Sequence, residues 1–184
     1  PKGVGVLFIR KGVRIGPLII GGHQEDNRRS GTENVPYIIG LGKACEIAEG
    51  FVKEEQTEVR RLRDRLEKGI KEQLTHVVIS GENSERLPNT SNVSFECVEG
   101  EATLLLLDMA GIATSSGSAC TTGSAEPSHV LQAMGIPPVT SRGTIRFSLS
   151  RYSTEDEVDY ILEKLVPIVK RLQTLSPLFG DSQA

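Results

Sequence analysis

The stretch from Thr144 to Leu172 reads TIRFSLSRYSTEDEVDYILEKLVPIVKRL, and it carries two different periodicities back to back. Through Ser150 the residues alternate, with Ile145, Phe147 and Leu149 on one side and Thr144, Arg146, Ser148 and Ser150 on the other, as in a half-buried strand. The spacing then changes. Thr154 and Glu157 stand three apart, as a helix-opening capping box worth ~1 kcal/mol. Val158, Ile161, Leu162, Leu165, Val169 and Leu172 follow three or four apart, as one apolar stripe on a helix. A strand and a helix that each bury one face imply a layered domain, helix packed on sheet.

Working backwards, Pro127 to Met134 reads as a short helix entered through Glu126 and Pro127, and Ile112 to Ser115 as a strand leading into SSGSACTTGSAEP. Gly100 to Met109 is apolar on most sides and reads as a buried helix. Val77 to Ser80 and Asn92 to Cys97 read as short strands, with Val93, Phe95 and Cys97 facing inward. From Phe51 to Leu74 a solvated helix keeps a core stripe at Val59, Leu62, Leu66, Ile70 and Leu74. Gly50 separates it from a buried helix over Tyr37 to Glu49, which Pro36 begins. Nearer the start, Val4 to Ile9 and Val13 to Ile20 are rich in β-formers around Arg10, Lys11 and Gly12, and predict a hairpin. The polar loop GGHQEDNRRSGT, residues 21 to 32, follows. The fold class is α/β, in an α+β layered arrangement.

The composition excludes several functions. Hydrophobic residues make up 38% of the 184, a globular share, and the formal net charge is −3. No overall positive field is available for nucleic acid or an anionic membrane, and no apolar run approaches the ~20 residues of a bilayer span. No nucleic-acid or membrane partner is expected, and the location expected is cytoplasmic. The three cysteines, at 45, 97 and 120, form no CxxC pair, so neither a disulfide framework nor a zinc site is expected. The chain opens on Pro1 without Met, directly into an apolar run. That start favours a piece of a longer protein.

Three groups stand out chemically. Cys45 and Cys97 lie among apolar neighbours and read as core residues, whereas Cys120 sits among Ser118, Ala119, Thr121 and Thr122, which cannot bury it. It is either an incidental loop thiol or a nucleophile that must move. Between Asp108 and Arg142 the only formal charge is Glu126, so a base or cation activating Cys120 must come from elsewhere. His129 reads more readily as a surface or packing residue than as that base. Arg146 projects onto a face of hydroxyls and is either a bidentate carboxylate ligand or one charge on an exposed strand. Arg28, Arg29, Ser30, Gly31 and Thr32 combine cations, hydroxyls and a flexible backbone into a weak signal for an anion cradle.

Taken together, PKGVGVLFIR, GGHQE followed by RRSGTEN, LPNTSNVSFE, SSGSACTTGS with EPSHVL, and TIRFSLSRYSTEDEVD resemble the C-terminal portion of a pyridoxal-phosphate (PLP) dependent cysteine desulfurase of the NifS/IscS group. The resemblance runs over nearly the whole chain. It implies fold type I, with residues 1–34 ending the large PLP domain and residues 35–184 forming the small C-terminal domain, whose catalytic loop spans 115–126. It implies L-cysteine as substrate and L-alanine as product. Cys120 would become a persulfide and pass sulfur to an iron–sulfur scaffold protein. Arg146 would hold the substrate carboxylate. Thr32, with Arg29 close by, would bind the PLP phosphate of the neighbouring subunit in a homodimer. No resident metal is implied, and Cys120 is the candidate for transient iron–sulfur ligation. The form SSGSAC is similar to the NifS/IscS branch, which serves nitrogen fixation or housekeeping assembly.

One departure accompanies the match. The family's Schiff-base lysine belongs to a His-Lys pair that would precede Pro1, and Lys2 does not replace it. Alone, these residues are expected to be inactive and not to hold PLP covalently. A non-catalytic sulfur-acceptor or docking module that uses Cys120 without PLP remains the alternative.

Overall fold

A computed structural model of the chain describes residues 1–116 and 128–177. The chain divides into two compact units, Pro1–Val52 and Lys53 onward.

In the first unit the expected hairpin is not formed, since residues 4–9 and 13–20 carry no strand pairing among the described residues. Only its turn survives, with the Val13 N–H donating to the Arg10 carbonyl at 3.1 Å. The reason is coverage: Phe8 and Leu18 are 84% and 96% exposed, and a two-stranded ribbon with no packed face is marginal in water. The polar loop is better fastened. Ser30 is buried, its hydroxyl donating to the Gly22 carbonyl at 2.7 Å, and the Gly31 N–H donates to Gln24 Oε1 at 3.0 Å. Glu25, Asp26 and Asn27 turn through left-handed backbone at φ 51°, 53° and 63°.

Helix α1, Val35–Glu54, is present as expected, with Pro36 in its first turn, but no residue of it is buried. Its apolar sequence promised a core position, yet the contacts it receives in this unit, from Pro1 at Gly40 and from Gly3 at Tyr37, bury none of its residues. Cys45 is therefore exposed, against the expectation of a core cysteine. Gly50 does not end the helix, because one glycine costs only about 1 kcal/mol and its neighbours are helix formers. The irregularity falls later, at a π-helical turn over Glu55–Val59, after which helix α2 runs over Arg60–Gln73.

The second unit is the layered domain that the sequence describes. Its sheet is antiparallel, in the order β1 (Val77–Ile79), β2 (Thr90–Phe95), β4 (Thr144–Ser148), β3 (Ser115–Ser116). Helices α3 (Gly100–Met109), α4 (His129–Ala133), α5 (Pro138–Ser141) and α6 (Glu155–Leu175) complete it. The predicted stripe is buried at all five positions, from Val59 just before α2 to Leu74 just after it, and it meets Val93, Phe95, Ile145 and Phe147 of the sheet and Val158, Leu165 and Val169 of α6 in one core. Burial of this kind is worth roughly 1.5–3 kcal/mol per large side chain. A Cβ at Gly69 would lie 2.4 Å from Leu162 Cδ1, so a larger residue there would require the Leu162 side chain to shift. The capping box at Thr154 is complete, with Thr154 N–H to Glu157 Oε2 at 2.9 Å and Glu157 N–H to Thr154 Oγ1 at 3.3 Å.

Three expectations shift here. Helix α3 buries Thr103 and Leu107 but leaves Leu105 and Met109 in water, so it is not buried on most sides. Strand β3 is two residues long and begins at Ser115, while Ile112 before it joins the core. Cys97 is half-buried and lies past the end of β2 at φ 60°, in a turn and not on an inward strand face.

Candidate functional site

Strand β4 is interior, paired to β2 on one side and to β3 on the other. Its alternation sends Ile145 and Phe147 into the core and leaves Arg146 and Ser148 on the opposite face. Directly across from Arg146 stand Asn92 on β2 and Ser115 on β3. The Arg146 Nη2 donates to Ser115 Oγ at 3.3 Å. Among the described residues no carboxylate lies within 4 Å of this guanidinium. Further along the same face Ser94 and Thr144 share a hydrogen bond of 2.6 Å, and this contact buries Thr144 although it was expected on the open side. The face is built of hydroxyls, one amide and one cation, and most of the cation's hydrogen-bonding capacity is unspent: a fork able to hold a carboxylate by two charge-assisted bonds.

Sequence reasoning singled out Arg146 and passed over its neighbours. Ser80 donates through Oγ to Asn92 Oδ1 at 2.8 Å, and its N–H donates to the Asn92 carbonyl at 2.9 Å. The signal was available in NTSNVSF, where Thr90, Asn92 and Ser94 recur at period two opposite Val93 and Phe95.

The other nominated residues fall elsewhere. Thr32 and Arg29 are in the first unit, where Thr32 is exposed and the Arg29 Nη1 donates to the Ser30 carbonyl at 2.9 Å. His129 is exposed at the start of α4. Cys120 lies outside the described residues, four positions after Ser116 of β3.

A second charged cluster is closed on itself. Glu67 on α2 accepts from Arg86 Nη1 and Nη2 at 2.8 and 2.9 Å and from Ser91 Oγ at 2.8 Å. Arg63 beside it bonds Asp64 Oδ1 at 2.7 Å and the Leu87 carbonyl at 3.2 Å. Burial raises the Glu67 carboxyl, but the bonds from Arg86 and Ser91 outweigh it and hold it below its ordinary value. This cluster joins α2 to the loop before β2.

A family model for aminotransferase class-V matches residues 1–161. The chain belongs to the class-V aminotransferase family. This family is PLP-dependent, and cysteine desulfurases are among the relatives that the chain matches. The chain is 57% identical over 182 residues to the cysteine desulfurase NifS of Azotobacter vinelandii, covering 99% of this chain and 45% of that protein. A solved NifS-like protein from Rickettsia africae is 34% identical at a TM-score of 0.76, covering 86% of this chain and 41% of that one. Another solved NifS-like protein is 40% identical at a TM-score of 0.74, over 89% of this chain and 41% of that one. The chain thus spans a little under half the length of the relatives it matches.

Proposed function

We propose that this chain is the C-terminal part of a PLP-dependent cysteine desulfurase, with residues 1–34 closing the PLP domain and residues 35–184 forming the small domain. Full-length, PLP-loaded enzyme converts L-cysteine to L-alanine and leaves a persulfide on Cys120 for an iron–sulfur scaffold protein. The observation that carries the reading is Arg146. Its guanidinium stands on an interior strand without a carboxylate partner among the described residues, and it bonds a hydroxyl of the strand that leads, four residues on, to Cys120.

The residues of the first unit suit the phosphate end of the cofactor and not its aldehyde. The exposed Thr32 hydroxyl and the Arg29 guanidinium share one loop braced by Ser30 and Gly31. These two residues would hold the phosphate of the neighbouring subunit in a cytoplasmic homodimer, while the lysine that binds the aldehyde belongs to the part of the enzyme preceding Pro1. Bound PLP supplies an electron sink for the carbon skeleton of cysteine. Arg146 binds the substrate carboxylate and so fixes where the substrate sulfur lies. The Cys120 thiolate attacks that sulfur, and an S–S bond forms as the substrate Cβ–S bond breaks. The electron pair of the broken bond goes to Cβ, which takes a proton and becomes the methyl group of alanine.

Sulfide release from L-cysteine with a reductant is the test. In full-length PLP-loaded enzyme, Cys120→Ala should abolish release while PLP absorbance is retained. Undiminished release would remove Cys120 from the reaction. Persulfide acquisition by this chain from a separate desulfurase, with no cofactor of its own, would favour an acceptor module instead.

A further inference from the structure

We propose that Asn92 is a second ligand for the substrate carboxylate, presented beside Arg146 by Ser80. The inference rests on the reading of Arg146 as the carboxylate-binding residue. Asn92 is the direct cross-strand partner of Arg146, so the two side chains leave neighbouring strands on the same face, about 5 Å apart at Cβ. The Asn92 amide has one oxygen and one NH2. Ser80, itself buried, donates to the oxygen at 2.8 Å, and this fixes the amide with its NH2 as the remaining end.

Among the described residues that NH2 donates to nothing. That oxygen keeps a second lone pair, yet among the described residues it accepts nothing from the guanidinium, whose bond goes to Ser115 instead, so the amide does not brace Arg146. What stands beside Arg146 is therefore a further donor. Two donor groups set side by side, one of them charged, satisfy neither each other nor the need for an acceptor, and an anion placed between them satisfies both. Ser115, which takes one bond from Nη2 on the other side, leaves the rest of the fork directed to the same ligand. The three side chains lie in a row across three adjacent strands. Such a row suits a flat two-oxygen group better than a tetrahedral one.

The test uses full-length PLP-loaded enzyme and two competitive inhibitors of cysteine turnover, S-methyl-L-cysteine and its carboxylate-free counterpart 2-(methylthio)ethylamine. Loss of one hydrogen bond to a charged group corresponds to roughly tenfold in affinity. Asn92→Ala should raise the inhibition constant of the amino acid by about that factor and leave that of the amine unchanged. Asn92→Asp, nearly isosteric, should raise it further, because its charge repels the carboxylate and engages Arg146. Ser80→Ala should show the same selectivity at smaller size. Equal shifts for both inhibitors, or none, in the Asn92 variants would overturn the inference. If Arg146→Ala is selective for the amino acid in that case, the reading of Arg146 stands and only Asn92 falls. If Arg146→Ala affects both inhibitors alike, the reading of Arg146 falls and the inference falls with it.

Discussion

Arg61, Arg63, Arg65 and Arg86 each meet a carboxylate within 4 Å, whereas Arg146 meets a hydroxyl. The first four sit on α2 or beside it and tie it to α6 or to the loop before β2. Their guanidinium groups are committed to holding the domain together. Arg146 stands on a strand whose far side is packed into the core, and the fold supplies it no counter-ion among the described residues. Partner chemistry tells the two settings apart: an internally neutralised arginine belongs to the structure, and one that meets only a hydroxyl is, on the function proposed here, free to take a ligand.

The largest effect expected from this contrast is on turnover. Arg146→Ala in the full-length PLP-loaded enzyme should lower kcat/KM for L-cysteine at least about a hundredfold, since two charge-assisted bonds are lost, with little change in the urea midpoint. A large stability loss with unaltered KM would erase the distinction. Glu67→Ala should do the reverse and cost roughly 3 kcal/mol in urea unfolding, because Arg86 and the buried Arg63 lose a shared counter-charge. Its pH signature follows from sign. Glu67 titrates below its ordinary 4.5 in the folded state, so its contribution is complete above that value and is lost as pH falls through the lower folded value. Wild-type enzyme should weaken across that acid window more steeply than Glu67→Ala. The smallest effect belongs to Arg65, whose paired bonds to Asp159 at 2.8 and 2.9 Å lie in water. Arg65→Ala should shift the melting temperature least, and 1 M salt should remove the difference by screening. A salt-resistant loss there would place Arg65 with Glu67.

What the sequence made legible was whatever depends on local period. The apolar stripe from Val59 to Leu74, the capping box at Thr154 and the alternation of Ile145, Arg146, Phe147 and Ser148 in β4 follow from side-chain spacing alone, and each is found where it was read. What it concealed depends on what covers a segment or lies across from it. Residues 4–20 and Cys45 have apolar neighbours in sequence, but burial needs a second layer, and their unit places none over them. Cys97 escaped because β2 ends at Phe95, two residues before the reading ended it, and the turn that follows sets Cys97 at φ 60°. Asn92 and Ser80 escaped for a different reason. Their relation to Arg146 is a matter of strand register, and register joins positions 80, 92 and 146 that no local window contains.

The interior position of β4 also bears on the entropy of recognition. A binding arginine on a loop must give up backbone freedom when its ligand arrives, and that loss is subtracted from affinity. Arg146 has neighbours hydrogen-bonded along both edges of its strand, so its main chain was ordered when the domain folded. Only side-chain rotation remains to be stilled. On the role proposed for Arg146, the carboxylate end of the substrate would meet a pre-set anchor.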